Sequence, residues 1–367
     1  MKILVTGTRG IPGIAGGVEK HCEELYPRIC ALGHEVILVT RSPYVARKLY
    51  EWRGVKLINY FAPRKKNLES IVHTFMSVLK ARSCNPDILH IHAIGPGLLV
   101  PVARMLGLKV VITNHGPDYD RVKWGRMAKF MLRLGEYFGG RFANEVIVVS
   151  SVISDIIKER CNRRSNLIYN GVSRPERSKQ HGFLTQIGAR PNNYVLAVAR
   201  FVPEKGLHDL IGAFRASGCS YKLVISGDAD HETAYSRNLR RMASVDDRVI
   251  LTGYITGEPL NQVYANARLF VLPSYHEGLP IALLEALGYG LSVLVSDIPA
   301  NKEVELPAER YFRCGDVGDL KEKMEILLKK GFSEEEQENI SNQIEEKYNW
   351  IRIAEQTIGV YEKALLL

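Results

Sequence analysis

Cysteine is sparse and scattered in this 367-residue chain: six thiols, and no Cys-x-x-Cys pair among them. That spacing argues against a zinc module or a thioredoxin-like site and predicts reduced thiols in a cytoplasmic protein. No apolar run approaches the ~18 residues that a membrane span requires. The first apolar run opens at residue 2 and reads as a strand, so no signal peptide is expected. Internal repeats and low-complexity tracts are also missing. A chain this long suggests two domains, each able to bury a core without disulfides.

Charge is abundant but unevenly divided. Residues 1–180 hold 29 Lys+Arg against 14 Asp+Glu, whereas residues 181–367 hold 20 against 26, so the net +9 is the sum of a basic half and a mildly acidic one. A basic half suits nucleic acid, an anionic membrane or a phosphorylated substrate. Nucleic acid is disfavoured, because nothing resembles a recognition helix or an aromatic stacking platform.

Short β-branched runs alternate with amphipathic segments throughout. The runs 2–6, 35–40, 55–60, 87–92, 109–114 and 145–150 are apolar on both faces, as parallel strands covered by helices should be. A second set lies at 194–200, 221–227, 248–253, 267–274 and 291–296. Between the sets, the polar stretch 174–183 reads as a linker. The pattern predicts an α/β protein with two Rossmann-like, doubly wound domains, at 1–175 and 183–347. The segment 348–367 is expected to be a helix packing back on the first domain. Pro27 is expected to kink the helix over 17–32.

The opening VTGTRGIPG carries Gly7, Gly10 and Gly13 after the first strand. It resembles the cofactor loop of extended short-chain dehydrogenases and sugar-nucleotide epimerases, and Tyr44/Lys48 and Tyr119/Lys123 supply that family's Tyr-x-x-x-Lys spacing. Yet the loop runs on through Gly16 and Gly17 before a helix opens, which is long for a connection that usually takes ~2–6 residues. Strand two ends in Thr40-Arg41-Ser42, with no carboxylate to hold a ribose. An NAD(P)-dependent oxidoreductase or epimerase is therefore the alternative, as is a non-catalytic sugar-nucleotide-binding module. Gly16 and Gly17 at a helix start would offer backbone N–H groups to an anion.

In the second half, Arg200 closes one strand and Lys205 follows five residues on. Ligands of parallel α/β sheets bind outside the carboxyl ends of the strands, and two cations there suit a diphosphate, the Arg as a fork and the Lys as a point charge. Next comes SYHEGLPIALLEALGYG (274–290). Pro280 fits the first helical position and Gly288 or Gly290 the exit, so Gly278, Leu279 and Ile281 would present a second anion cradle. Glu277 precedes that helix, and Glu285 lies beside its apolar stripe.

EGLPIALLE resembles the E-x7-E motif of the retaining, two-domain (GT-B) glycosyltransferases of family 4. RFVPEKG, IYNGV (168–172), SGDAD (226–230) and TGYI (252–255) follow that family's order, and the opening and residues 115–130 look most like a bacterial polysaccharide, rhamnosyltransferase-like subgroup. The resemblance implies two domains facing each other across a cleft and transfer from a nucleotide-diphosphate sugar, with a UDP-sugar expected, and with retention. The acceptor would be a saccharide or a lipid-diphosphate-linked sugar. Carried over by position, Arg200 and Lys205 would bind the diphosphate, Glu285 the ribose, and Glu277 with the Gly278–Ile281 backbone the donor sugar. Tyr254 and Ile255 would hold the base, His115 would contact the sugar, and Gly16 and Gly17 would close on donor and acceptor. No cofactor or metal is expected, so the Asp-x-Asp strings at Asp118/Asp120 and Asp228/Asp230 are not read as ligands. On the basic half, residues 63–67, Arg121, Lys123, Trp124, Arg126, Lys129, Arg133, Arg160, Arg163 and Arg164 would face the acceptor or an anionic inner membrane.

Overall fold

A computed structural model describes every residue except 15, 43, 46–48, 64–68, 118, 120–124, 230 and 331. The chain forms two compact units, Met1–Gly171 with Tyr348–Leu367, and Val172–Lys347.

The first unit holds strands β1 (Lys2–Thr6), β2 (Glu35–Arg41), β3 (Glu51–Trp52), β4 (Val55–Tyr60), β5 (Ile88–His92), β6 (Val110–Asn114), β7 (Glu145–Val148) and β8 (Asn166–Leu167). They lie in the order β3-β4-β2-β1-β5-β6-β7-β8, parallel except for the β3–β4 hairpin. In the second unit, β9 (Tyr194–Val198), β10 (Lys222–Ser226), β11 (Val249–Gly253), β12 (Leu269–Leu272), β13 (Val293–Ser296) and β14 (Tyr311–Phe312) run β11-β10-β9-β12-β13-β14. Both orders step outward from a central first strand and then reverse. This is the doubly wound arrangement, with a crevice at the carboxyl ends of the two central strands. The central strands are buried on both faces, which is why they read as unbroken apolar runs.

The helix Gly17–Ala31 continues through Pro27 as one element. The C-terminal helix Trp350–Leu366 returns to the first unit and packs on Gly17–Ala31. Its buried stripe is Trp350, Ile353, Ala354, Thr357, Val360, Tyr361 and Ala364. Trp350 lies against Gly171, where a Cβ would fall 2.4 Å from its ring. Residues of the polar stretch after 173 are tied into the second unit, where Arg177 donates to Tyr289 O and Ser178 N to Asn261 Oδ1.

Among the described residues, no helix is long and apolar enough to cross a membrane.

Candidate functional site

In the second unit, the predicted donor residues gather on the carboxyl rim of the sheet. Arg200 follows β9, Tyr254 and Ile255 follow β11, and Ser274 and Glu277 follow β12. Because β9 and β12 are neighbours where the strand order reverses, Lys205 and Glu277 meet although they are 72 residues apart: Lys205 Nζ donates to Glu277 Oε1 at 2.5 Å. Gly206 makes this approach possible. Its φ is +62°, and a Cβ would lie 2.0 Å from Pro273 O, so a side chain there would push the Lys205 turn off the end of β12.

Glu277 Oε1 also accepts from Ser274 Oγ at 2.7 Å. Burial opposes its ionisation, but the Lys205 charge and hydrogen bond, the Ser274 hydroxyl and the His276 charge outweigh burial, and its carboxyl is held below the usual range. Ser274 is fixed in turn by Ser296 Oγ, which donates to its carbonyl, and Asn301 Nδ2 donates to Ser296 O at 2.8 Å. Nothing in the local sequence around Ser274, Ser296 or Asn301 signals this support, which depends on strands 22 residues apart. An ammonium has three protons and Glu277 takes one, which leaves Lys205 able to bind an anion as well.

The helix after this loop is Ile281–Gly288, with Pro280 as its N-cap, one residue earlier in role than the sequence suggested. Gly278 and Leu279 lie in the loop just before it. Its exit is a Schellman turn: Gly290 N donates to Leu287 O and Leu291 N to Ala286 O. Glu285 is half-buried and accepts from Tyr264 OH at 3.2 Å. Tyr264 stacks on Tyr289 at 5.1 Å. Tyr254 is exposed and Ile255 half-buried.

The remaining predicted residues belong to the first unit. Between β1 and the helix at Gly17 the loop spans residues 7–16. At that helix start the Glu19 carboxylate accepts from Arg9 N (3.1 Å) and Arg9 Nε (3.0 Å) and lies beside Gly16. Burial works against the Glu19 charge, yet the Arg9 charge and hydrogen bonds keep its carboxyl low. Of the Tyr-x-x-x-Lys dyads, Tyr44 and Tyr119 bond to the carboxylates of Glu69 and Glu136, and Lys48 and Lys123 lie outside the described residues. So do Asp118, Asp120, Asp230, Arg121, Lys123, Trp124 and residues 64–67. Asp228 pairs with Arg240.

His115, at the end of β6, is part of a cluster that was not anticipated. His92 Nδ1 and His115 Nε2 are 2.9 Å apart, and Tyr26 OH is 2.5 Å from His92 Nε2 and 2.9 Å from His90 Nδ1. His90 also contacts Tyr361 OH and Thr113 Oγ1, each at 2.7 Å, and His21 Nδ1 meets Asn170 Oδ1 at 2.9 Å. The signal for it was HIH at the end of an apolar strand, since residues two apart share a face. Burial, followed by neighbouring imidazoles, depresses His21, His90 and His115 to about 3 and His92 well below its usual value. All four are therefore neutral near pH 7. One nitrogen from each of His21, His92 and His115 lies within 4.8 Å of the others, the grouping among the described residues that could hold a metal ion.

The basic surface is partly structural. Arg160 pairs with the buried Glu136 and bonds Tyr119, and Arg163 donates to the Ala143 and Asn144 carbonyls, so these two are not the free headgroup contacts that were expected. Arg126 starts the helix Arg126–Phe142, which exposes Met127 and Phe130.

Two doubly wound units, with cations and a helix start on the rim of the second, define the architecture of a GT-B glycosyltransferase. The family description "Glycosyl transferases group 1" matches residues 186–347, and "Glycosyltransferase Family 4" matches residues 15–174. The chain belongs to this family of glycosyltransferases. It is 25% identical over 395 aligned residues to an uncharacterised glycosyltransferase of Methanocaldococcus jannaschii, covering 100% of this chain and 99% of that one. It is 24% identical to the gpi3 subunit of phosphatidylinositol N-acetylglucosaminyltransferase of Schizosaccharomyces pombe, covering 95% and 77%. Among solved structures, HepE of Anabaena in complex with UDP-glucose superposes with a TM-score of 0.81 at 17% identity, covering 99% of each chain. Membership of this family displaces the oxidoreductase alternative.

Proposed function

We propose that this glycosyltransferase moves a sugar from a nucleotide-diphosphate donor, with UDP as the nucleotide, to a saccharide or lipid-linked acceptor in surface-polysaccharide synthesis, with retention at the anomeric carbon and without a metal ion. The observation that carries the reading is the convergence of Arg200, Lys205, Glu277 and the Ile281–Gly288 helix start at the switch point of one sheet. Departure of the nucleotide leaves positive charge on the sugar and negative charge on the diphosphate. Arg200, Lys205 and the backbone N–H groups of Gly278, Leu279 and Ile281 stabilise that leaving group without reorganising. Glu277, held ionised by Lys205, accepts hydrogen bonds from the donor sugar, and Glu285, steadied by Tyr264, accepts from ribose hydroxyls. Tyr254 and Ile255 flank the base.

His115, neutral and half-buried, contacts the donor sugar by hydrogen bonding and not as a charge. Gly16 and Gly17 give their loop room near the acceptor. The UDP assignment draws on the UDP-glucose complex of HepE, and the lipid-linked acceptor on the lipid in the gpi3 relative's name. An acceptor at the cytoplasmic face of the membrane also fits Arg126, Met127 and Phe130, a basic and apolar surface suited to an interface.

Incubating the protein with UDP-, GDP- and dTDP-sugars and following nucleotide release tests this reading. Slow hydrolysis of a UDP-sugar, lost in Arg200→Ala and Glu277→Ala, is the expected result. Binding without turnover on any donor would favour a sugar-nucleotide-binding module instead.

A further inference from the structure

Three imidazoles of the first unit converge from three different elements. His21 comes from the helix Gly17–Ala31, His92 ends β5 and His115 follows β6. One nitrogen of each lies within 4.8 Å of the other two, and His92 Nδ1 and His115 Nε2 are 2.9 Å apart. Two of the rings are also held at their outer nitrogens. His21 Nδ1 meets Asn170 Oδ1 at 2.9 Å, and because a carbonyl oxygen only accepts, the proton of the neutral ring is on Nδ1 and Nε2 is a lone pair. His92 Nε2 lies 2.5 Å from Tyr26 OH, a hydroxyl that can accept as well as donate. Partners of this kind, on the nitrogen turned away from the ion, orient the histidines of metal sites. His21 and His92 are buried whereas His115 is half-buried, which gives an ion a way in.

We propose that His21, His92 and His115 form a binding site for a divalent transition-metal ion of the zinc type, with a fourth position open to water. The donor set selects the ion: three imidazoles without a carboxylate suit Zn2+ or Co2+, whereas Mg2+ and Ca2+ take oxygen ligands. An ion ~2.0–2.1 Å from each nitrogen holds tetrahedral ligands ~3.3 Å apart. His92 and His115 are already close to that spacing, so the closure still needed, at most ~1.5 Å, falls on His21. In the bound form the three inner nitrogens offer lone pairs, and the protons of His21 and His92 point outward to Asn170 and Tyr26. The ion ties the first helix to the ends of β5 and β6. The sugar transfer proposed above, whose cations are Arg200 and Lys205, does not depend on it.

The test uses the full chain without a tag, stripped with a chelator, then titrated with Zn2+ by calorimetry and with Co2+ by visible absorption. One ion per chain, a tetrahedral Co2+ spectrum and nitrogen ligands at ~2.0 Å in zinc X-ray absorption are expected. His115→Gln should lower the Zn2+ affinity by more than the ~10- to 100-fold expected when an outer partner is lost in Asn170→Ala or Tyr26→Phe. His181→Ala, at an exposed histidine of the second unit, should leave the affinity unchanged. Zn2+ should also raise the Tm of the wild type and not that of His115→Gln. No Zn2+ binding by the wild type, sulfur among the zinc ligands, or equal affinity in wild type and His115→Gln overturns the proposal. Should His115→Gln fail to fold, Tyr26→Phe supplies the comparison, and wild-type affinity in that variant counts against the site.

Discussion

Mild acid should unfold the first unit well before its carboxylates titrate. In the folded chain His21, His90 and His115 have pKa values of about 3 and His92 lies lower still, against 6.5 for an unburied histidine. Between these limits the unfolded chain binds protons that the folded one refuses, so stability falls as pH drops through 6.5 and keeps falling toward 3. At pH 5.5 each such histidine costs about 1.4 kcal/mol relative to neutral pH. In the unfolded chain the four titrate independently, which gives about 5 kcal/mol, comparable to the whole stability of many domains. The buried His73, lowered to about 4 by burial and then by Arg41, acts in the same direction. Glu19 and Glu277, whose carboxyls sit below the usual value, contribute only at lower pH, so the window from 6.5 to 5 belongs to histidine. Hydrogen exchange resolved by segment, at pH 7.5 and at pH 5.5 with correction for intrinsic rates, should show loss of protection in residues 1–171 and 348–367 and little change in residues 172–347. Equal protection in the first unit at both pH values would mean that the histidines charge freely in the fold, and the reasoning would fail.

Other perturbations probe the rim of the second unit and the basic helix Arg126–Phe142 of the first. Glu277→Gln removes the charge beside Lys205, a pair with side-chain exposures of 19% and 9%, and should cost about 2 kcal/mol and lower Tm by ~4–8 °C at pH 7. Because Glu277 titrates below its usual value, that deficit should shrink as pH falls below 4.5, and a deficit that persists in acid would implicate packing instead. Gly206→Ala forces a Cβ toward Pro273 O at positive φ and should lower donor turnover more than tenfold; wild-type turnover would mean that the Lys205 turn does not depend on that approach. Arg126→Glu with Lys129→Glu should weaken co-sedimentation with anionic vesicles at low salt, and unchanged binding would remove this helix from the membrane reading.

The strands were legible because parallel strands covered on both faces must be apolar throughout. The two-residue strands β3, β8 and β14 escaped, since two residues carry no periodicity. Pro27 does not end its helix, which runs on as one element from Gly17 to Ala31. Arg200, Lys205, Glu277 and Glu285 stand out in the sequence because strand-loop-helix position and motif agree on them. Their pairing was not legible: Lys205 reaches Glu277 only because the strand order places β9 beside β12 and Gly206 has no side chain. Of the histidine cluster the sequence shows only the HIH pair, for the same reason. Its members come from β5, β6 and the first helix, and adjacency in the sheet, not spacing in the chain, brings them together.

The central claim is that the rim bearing Arg200, Lys205 and Glu277 handles the diphosphate of a sugar donor. The most direct measurement is turnover of a panel of nucleotide sugars by the wild type and Arg200→Ala. The account predicts release of nucleotide diphosphate from a UDP-sugar, reduced by ~100- to 1000-fold in the variant. Undiminished turnover in Arg200→Ala, or consumption of no nucleotide sugar by the wild type, would contradict it.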